Sequence, residues 1–268
     1  MIKQGEISKI ASALKLRDTQ IEKDYVIGWV LKGISQNDYL KEKLILKGGT
    51  AIRKMYIKDY RLSEDLDFTL NGDLPDSKIL KNKFENLAKW VDDNSKIFLE
   101  TEDEKVNKLG NYSFSMKYKG PLGGIKNSIK VDISDNEIIY NEPVLKEVID
   151  VYTDSEGCNE ILCYTISEII AEKLRSLMQR TAPRDLYDVW FLLENEGYEI
   201  IDYIPDFIEK AKFKELNPKV LGTVLYGKKE IFKKSWEYQL TNQLNNVPKF
   251  DEVWRTLQKH IKKLQKAI

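Results

Sequence analysis

Ser63-Glu64-Asp65-Leu66-Asp67 sets two aspartates two positions apart at the entry of an alternating stretch, Leu66-Asp67-Phe68-Thr69-Leu70. With a period of two, Leu66, Phe68 and Leu70 face a core while Asp65 and Asp67 project together from the opposite face. Two carboxylates on one face suit a shared cation, because magnesium takes hard oxygen ligands, keeps several waters and leaves room for substrate phosphates. Lys130-Val131-Asp132-Ile133 repeats the pattern, so Asp132 points to the same polar face if the two strands are neighbours. Three carboxylates would hold two magnesium ions about 3.5 to 4 Å apart, a clamp for the attacking and leaving oxygens of an in-line phosphoryl displacement. By itself an Asp-x-Asp pair is also an ordinary solvated feature of edge strands and turns.

A glycine turn stands upstream of the aspartates. Leu44-Ile45-Leu46 is a short apolar run ending at Gly48-Gly49-Thr50, after which Ala51, Ile52, Met55 and Tyr56 fall at helical spacing. Backbone N–H groups of Gly48, Gly49 and Thr50, with the positive end of a helix dipole, suit a nucleoside triphosphate. The plainer reading is a tight strand-to-helix turn. Ser63 has a plain reading too, as a turn residue whose hydroxyl bonds nearby backbone. Further on, Thr165-Ile166-Ser167-Glu168 reads as a capping box, and Ile166, Ile169, Ile170, Leu174 and Leu177 form one apolar stripe in which Lys173 lies. An ammonium facing a packed surface requires an anionic partner, a triphosphate or a carboxylate, unless its stem snorkels to the rim. Pro183 ends that helix, and Arg184-Asp185-Leu186-Tyr187-Asp188 starts the next, whose dipole by itself favours acids in the first turn.

Periodicity supplies the elements that would hold these side chains. Thr19-Gln20-Ile21-Glu22 reads as a capping box opening a helix through Tyr25, Trp29 and Val30, with Gly33 as its stop. An amphipathic helix is expected over 77–94, and strands at Ile97-Phe98-Leu99, 112–118 and 128–133, with a hairpin at Gly120-Pro121 and Gly123-Gly124. Strand patterns stop at Thr165 and long helical ones follow. The expectation is an α+β class: a mixed sheet with helices over 1–160, then an all-helical domain over 161–268 that completes an active-site cleft.

Composition narrows the chemistry. The chain has 268 residues, 42% hydrophobic and 32% charged, enough for one large or two ordinary globular domains. Lys+Arg and Asp+Glu are equal at 43 each, so no global field draws the protein to a polyanion and any such site is local. Residues 249–268 carry six Lys/Arg against two acids, and 226–234 adds a second basic patch with aromatics. His260 is the only histidine, which disfavours Ser-His-Asp and Cys-His mechanisms. Cys158 and Cys163 have no second Cys/His pair and read as free thiols. The first residues lack the apolar core of a secretion signal, and no stretch approaches the roughly 18 apolar residues of a membrane span, so a cytoplasmic protein is expected.

Lys47-Gly48-Gly49-Thr50-Ala51 followed by Arg61-Leu62-Ser63-Glu64-Asp65-Leu66-Asp67-Phe68 resembles the signature of the AbiEii/AbiGii toxin family, within the DNA polymerase β-like nucleotidyltransferase superfamily. The resemblance continues through Glu22-Lys23-Asp24-Tyr25, Glu172-Lys173-Leu174-Arg175 and Arg184-Asp185-Leu186-Tyr187-Asp188, and covers roughly residues 18–195. Lys47 stands where the superfamily usually has a hydrophobic residue, and the gap from the glycines to the first aspartate is longer than usual. The resemblance implies a type IV toxin–antitoxin or phage-defence toxin that transfers a nucleotide from an NTP to the 3′ acceptor end of tRNA and blocks translation. It implies an active site containing Ser63, Asp65, Asp67 and Lys173 with one aspartate of the RDxxD motif. Asp188 is favoured for that place and Asp185 stays open. It also implies a cognate antitoxin, acting by phosphorylation at Ser63 or by transcriptional control. A protein side chain or a small hydroxylated molecule is the alternative acceptor, and a non-catalytic binding module on the same fold is the alternative to an enzyme.

Overall fold

The computed structural model describes residues 1–73, 75–106, 111–124, 127–154 and 159–268, with backbone alone at 103–106. Cys158 lies outside the described residues. The chain forms two compact units, one of Met1–Glu137 with Pro143–Tyr164 and one of Ile138–Glu142 with Thr165–Ile268.

The first unit is built on a seven-stranded mixed sheet. Its elements run α1 (Gln4–Leu14), α2 (Asp18–Ser35), α3 (Asp38–Lys43), β1 (Leu44–Lys47), α4 (Gly48–Ala51) widening into a π-turn over Ile52–Tyr56, β2 (Asp65–Leu70) and α5 (Ser77–Ser95). Then come β3 (Phe98–Val106), β4 (Tyr112–Lys119), β5 (Asn127–Ser134), β6 (Val144–Glu147) and β7 (Glu160–Cys163). The spatial order is β3-β4-β5-β2-β1-β7-β6. β1 and β2 are antiparallel, whereas β2 runs parallel to β5 and β1 parallel to β7. Alternation decides which face is which: Leu66, Phe68, Ile129, Val131 and Ile133 are fully buried, while Asp65, Asp67 and Asp132 keep partial exposure on the other face.

α2 differs from its expected form. It starts at Asp18, with Gln20 Oε1 accepting the Arg17 N–H at 2.9 Å, so Thr19 lies inside the helix and Glu22 is free of any capping role. Its last twelve residues, Asp24 to Ser35, are all buried, as a helix enclosed by its own unit must be. Gly33 is therefore not a stop. A Cβ there would stand 2.9 Å from Leu87 of α5, and the missing side chain is what lets the two helices approach.

The motif Glu22-Lys23-Asp24-Tyr25 serves as a brace. Asp24 is buried and accepts from Arg53 Nε at 2.7 Å, Lys54 Nζ at 2.9 Å and the Tyr152 hydroxyl at 2.9 Å, fixing the helix that follows the glycine turn. Burial would raise its carboxyl, but Lys54 and Arg53 outweigh that and hold it far below the usual range. Glu22 Oε1 accepts the Leu122 N–H at 2.8 Å and pins the β4–β5 turn; burial pushes this carboxyl up, against the Leu122 and Asn127 hydrogen bonds. The Tyr25 hydroxyl donates to Asp154 at 2.7 Å.

The second unit is helical: α6 (Ile166–Gln179), α7 (Pro183–Glu194), α8 (Ile204–Phe213), α9 (Leu221–Leu240) and α10 (Phe250–Ala267), with short 3-10 turns at Ile200–Tyr203 and Pro218–Val220. Thr165 caps α6 by accepting the Glu168 N–H at 3.1 Å. The Glu168 carboxylate does not turn back to close the box. It pairs with buried Lys210 at 2.5 Å and accepts the N–H groups of Tyr140 and Asn141, which ties the Ile138–Glu142 segment to this unit. Among the described residues no helix is long and apolar enough to cross a membrane.

Candidate active site

β2 and β5 lie side by side in parallel register, with Asp65 opposite Lys130 and Asp67 opposite Asp132. On the other flank of β2, Lys47 of β1 stands opposite Asp67, and its ammonium lies 6.0 Å from the centre of the Tyr164 ring. β4 continues the row beyond β5, with Ser113 opposite Asp132. One face of four adjacent strands therefore carries Lys47, Asp67, Asp132 and Ser113 in line, with Asp65 and Lys130 in the next row.

The glycine turn closes onto this face. Gly48 has φ +74°, and a Cβ there would lie 2.9 Å from Asp67 Oδ2, so glycine meets both the left-handed backbone and the close carboxylate. At Gly49 a Cβ would meet Arg61 at 2.7 Å and the Ser63 hydroxyl at 3.2 Å. Arg61 is buried, donates to the Leu62 carbonyl at 3.1 Å and stacks 5.5 Å from the Tyr60 ring. Thr50 donates its hydroxyl to the Asp65 carbonyl at 2.5 Å, which fastens the turn to the start of β2. Ser63, Asp65 and the glycine turn thus come together.

Asp132 is held from two sides. Ser113 donates to Oδ1 at 2.5 Å and Lys130 Nζ pairs with Oδ2 at 2.5 Å. The hydrogen bond to Asp132, and the charges of Asp132, Asp65 and Asp67, hold the Lys130 ammonium above its ordinary pKa. Among the described residues no three His, Cys, Asp or Glu side chains gather around one point. The donors nevertheless fit a hard divalent cation, since two carboxylates on one face, completed by water and phosphate, are what magnesium usually takes from a protein. Sequence reasoning passed over Lys130 and Ser113. The period of two had already put Lys130 on the face of Asp132 and Ser113 on the polar side of β4, but a lysine or serine on such a face reads as solvated.

In the second unit Lys173 is buried between two carboxylates, 2.7 Å from Asp185 Oδ1 and 2.8 Å from Asp188 Oδ2. Both aspartates of the RDxxD motif therefore reach it. Arg180 makes a second pair with Asp185 at 2.6 Å. Burial would raise the Asp185 carboxyl, yet Lys173 and Arg180 hold it below the usual carboxylate range. Pro183 at the first position of α7 and the 12-residue spacing bring Asp185 back over α6.

The sequence pattern of the nucleotidyl transferase AbiEii toxin family, of the type IV toxin–antitoxin system, matches residues 29–263. No curated protein matches the chain in sequence. Among solved structures, the nucleotidyltransferase toxin MenT4 of Mycobacterium tuberculosis superposes with a TM-score of 0.67 at 14% identity, over 99% of this chain and 89% of that one. JHP933 of Helicobacter pylori does so with a TM-score of 0.60 at 20% identity, over 94% of each chain. Those likenesses establish the fold, and the family match covers most of the sequence: the chain belongs to the AbiEii nucleotidyltransferase toxins of type IV toxin–antitoxin systems.

Proposed function

We propose that this toxin uses magnesium to transfer a nucleoside monophosphate from an NTP to the 3′ acceptor end of tRNA, and so blocks translation. The observation that carries the reading is the polar face on which Asp65 and Asp67 of β2 neighbour Asp132 of β5 beneath the glycine turn. Asp65 and Asp67 would hold the cation, with Asp132 as the further ligand that a second ion requires. Bound there, magnesium would neutralise the charge that builds on the phosphates. Gly48, Gly49 and Thr50 present their N–H groups to the triphosphate, with Arg61 beneath the turn as a fixed positive charge. The acceptor 3′-oxygen bonds to the α-phosphorus while the bond from that phosphorus to its bridging oxygen breaks, and pyrophosphate leaves. In the second unit, Asp185 and Asp188 fix the Lys173 ammonium, the catalytic cation that the family resemblance implies. Ser63 beside Asp65 is the proposed point of control, since a phosphate there would repel the triphosphate.

The acceptor is tested by incubating the protein with magnesium, each α-labelled NTP in turn, and total tRNA that is either intact or periodate-oxidised. Oxidation destroys the 3′-terminal hydroxyls. Label on intact tRNA and none on oxidised tRNA supports the reading. Equal label on both, or label on protein alone, overturns the acceptor.

A further inference from the structure

On the aspartate face, the Lys130 ammonium pairs with Asp132 Oδ2 at 2.5 Å. Its position is set by the sheet: it stands opposite Asp65 in register and two residues before Asp132 on the same face of β5. Its side chain is 57% exposed, so the ammonium can swing into water on its flexible stem with little cost. Asp132 has a second partner, Ser113, and keeps that hydrogen bond when the lysine leaves. Lys117, by contrast, pairs with Glu102 on β3.

Resting on the reading above, we propose that Lys130 competes with divalent cations for Asp132 and so sets the metal affinity of the aspartate face. A divalent ion binding at Asp132 meets an ammonium already on Oδ2, and the two like charges cannot share that oxygen. The face then takes metal weakly by itself and more tightly with a nucleotide, whose phosphates add ligands beside the aspartates and offset the cost of displacing the ammonium. Lys130 is thus a tuning residue that makes metal capture depend on substrate.

The test is a titration of the full chain with Mn2+ without nucleotide, followed by calorimetry or by the spin signal of free Mn2+. Lys130→Met should bind Mn2+ on the order of tenfold more tightly than the unchanged protein, the effect of removing one like charge at contact range in a high dielectric. Lys130→Gln, which keeps a polar head and loses the charge, should shift the same way and decides the matter if the methionine variant does not fold. Lys117→Met should leave the affinity unchanged. Placing Lys130→Met in an Asp132→Asn background should shrink its gain to less than about threefold, because the contested oxygen is no longer charged. If the unchanged protein binds Mn2+ and neither Lys130 variant binds it more tightly, the inference fails and the metal reading stands. If neither the unchanged protein nor any variant binds Mn2+, with NTP or without it, the metal reading fails together with the inference.

Discussion

Asp67 and Asp132 sit side by side in register with Asp65 one row away, and carboxylates that close repel unless a cation offsets them. On the proposed chemistry each of the pair on β2 is a metal ligand, so Asp65→Ala or Asp67→Ala should lower nucleotidyl transfer by at least about a thousandfold, the worth of several kcal/mol of charge stabilisation. The melting temperature should hold or rise, since a repulsion is relieved. Transfer within tenfold of the unchanged protein would remove these residues from the reaction. Ser63 lies against the glycine turn, and Ser63→Asp should be far less active than Ser63→Ala because its added carboxylate repels the triphosphate. Equal rates in the two variants would leave Ser63 as a turn residue. Both aspartates of β2 and Asp132 were legible because a half-buried strand writes its two faces into the sequence. Arg61 was legible only as part of a motif, for nothing in its spacing says that its guanidinium packs under Gly49.

Between α6 and α7 the Lys173 ammonium holds two carboxylates out of water. Removing one partner of such a pair strands the others, so Lys173→Met should destabilise the protein by about 3 to 5 kcal/mol in urea unfolding, less where Arg180 still serves Asp185. A loss of turnover in this variant counts as catalytic only if it persists under conditions where the fold is intact. Acid acts on the same elements. Asp24 and Asp185 have folded pKa values below the ordinary 3.8, so their stabilisation is complete above that value and is lost as the pH falls toward the lower folded ones. Glu22, raised from 4.5, has the opposite sign, with a contribution present below 4.5 and lost as the pH rises through its raised value. Urea midpoints should therefore fall between pH 5 and pH 3, and Asp24→Asn should lower the plateau and flatten that fall; an equally steep fall in the variant would remove Asp24 as a cause. α5 and the strands β2, β4 and β5 were legible because each has one wet face. α2 was less so, since a helix buried on all sides shows no polar stripe, and a glycine admitting a neighbouring helix looks in sequence like one that ends its own. β7 has four residues, too few for alternation to register.

Across the whole chain the charges cancel, at 43 of each sign, so affinity for a polyanion must come from local surfaces. α10 exposes Lys259, Lys262, Lys263 and Lys266 beside a packed face of Val253, Leu257, Ile261 and Leu264. Replacing those four lysines with Gln should weaken tRNA binding and lower its salt slope by about 1 for each lysine that meets a phosphate, with turnover at saturating tRNA preserved. An unchanged slope would take α10 out of the binding surface. Family membership and fold were legible because the motifs and the strand–helix order survive in one sequence. The return of Ile138–Glu142 to the helical unit was not, since it depends on hydrogen bonds from Glu168 that no pattern announces. The central claim is that the aspartate face of β2 and β5 performs metal-dependent nucleotidyl transfer, and its most direct test is the transfer of label from α-labelled NTP to RNA. The unchanged protein and Asp67→Ala are compared at equal concentration, each with magnesium and with excess chelator. The account predicts label only from the unchanged protein with magnesium. Label from Asp67→Ala at the same rate, or from either protein in chelator, would contradict it.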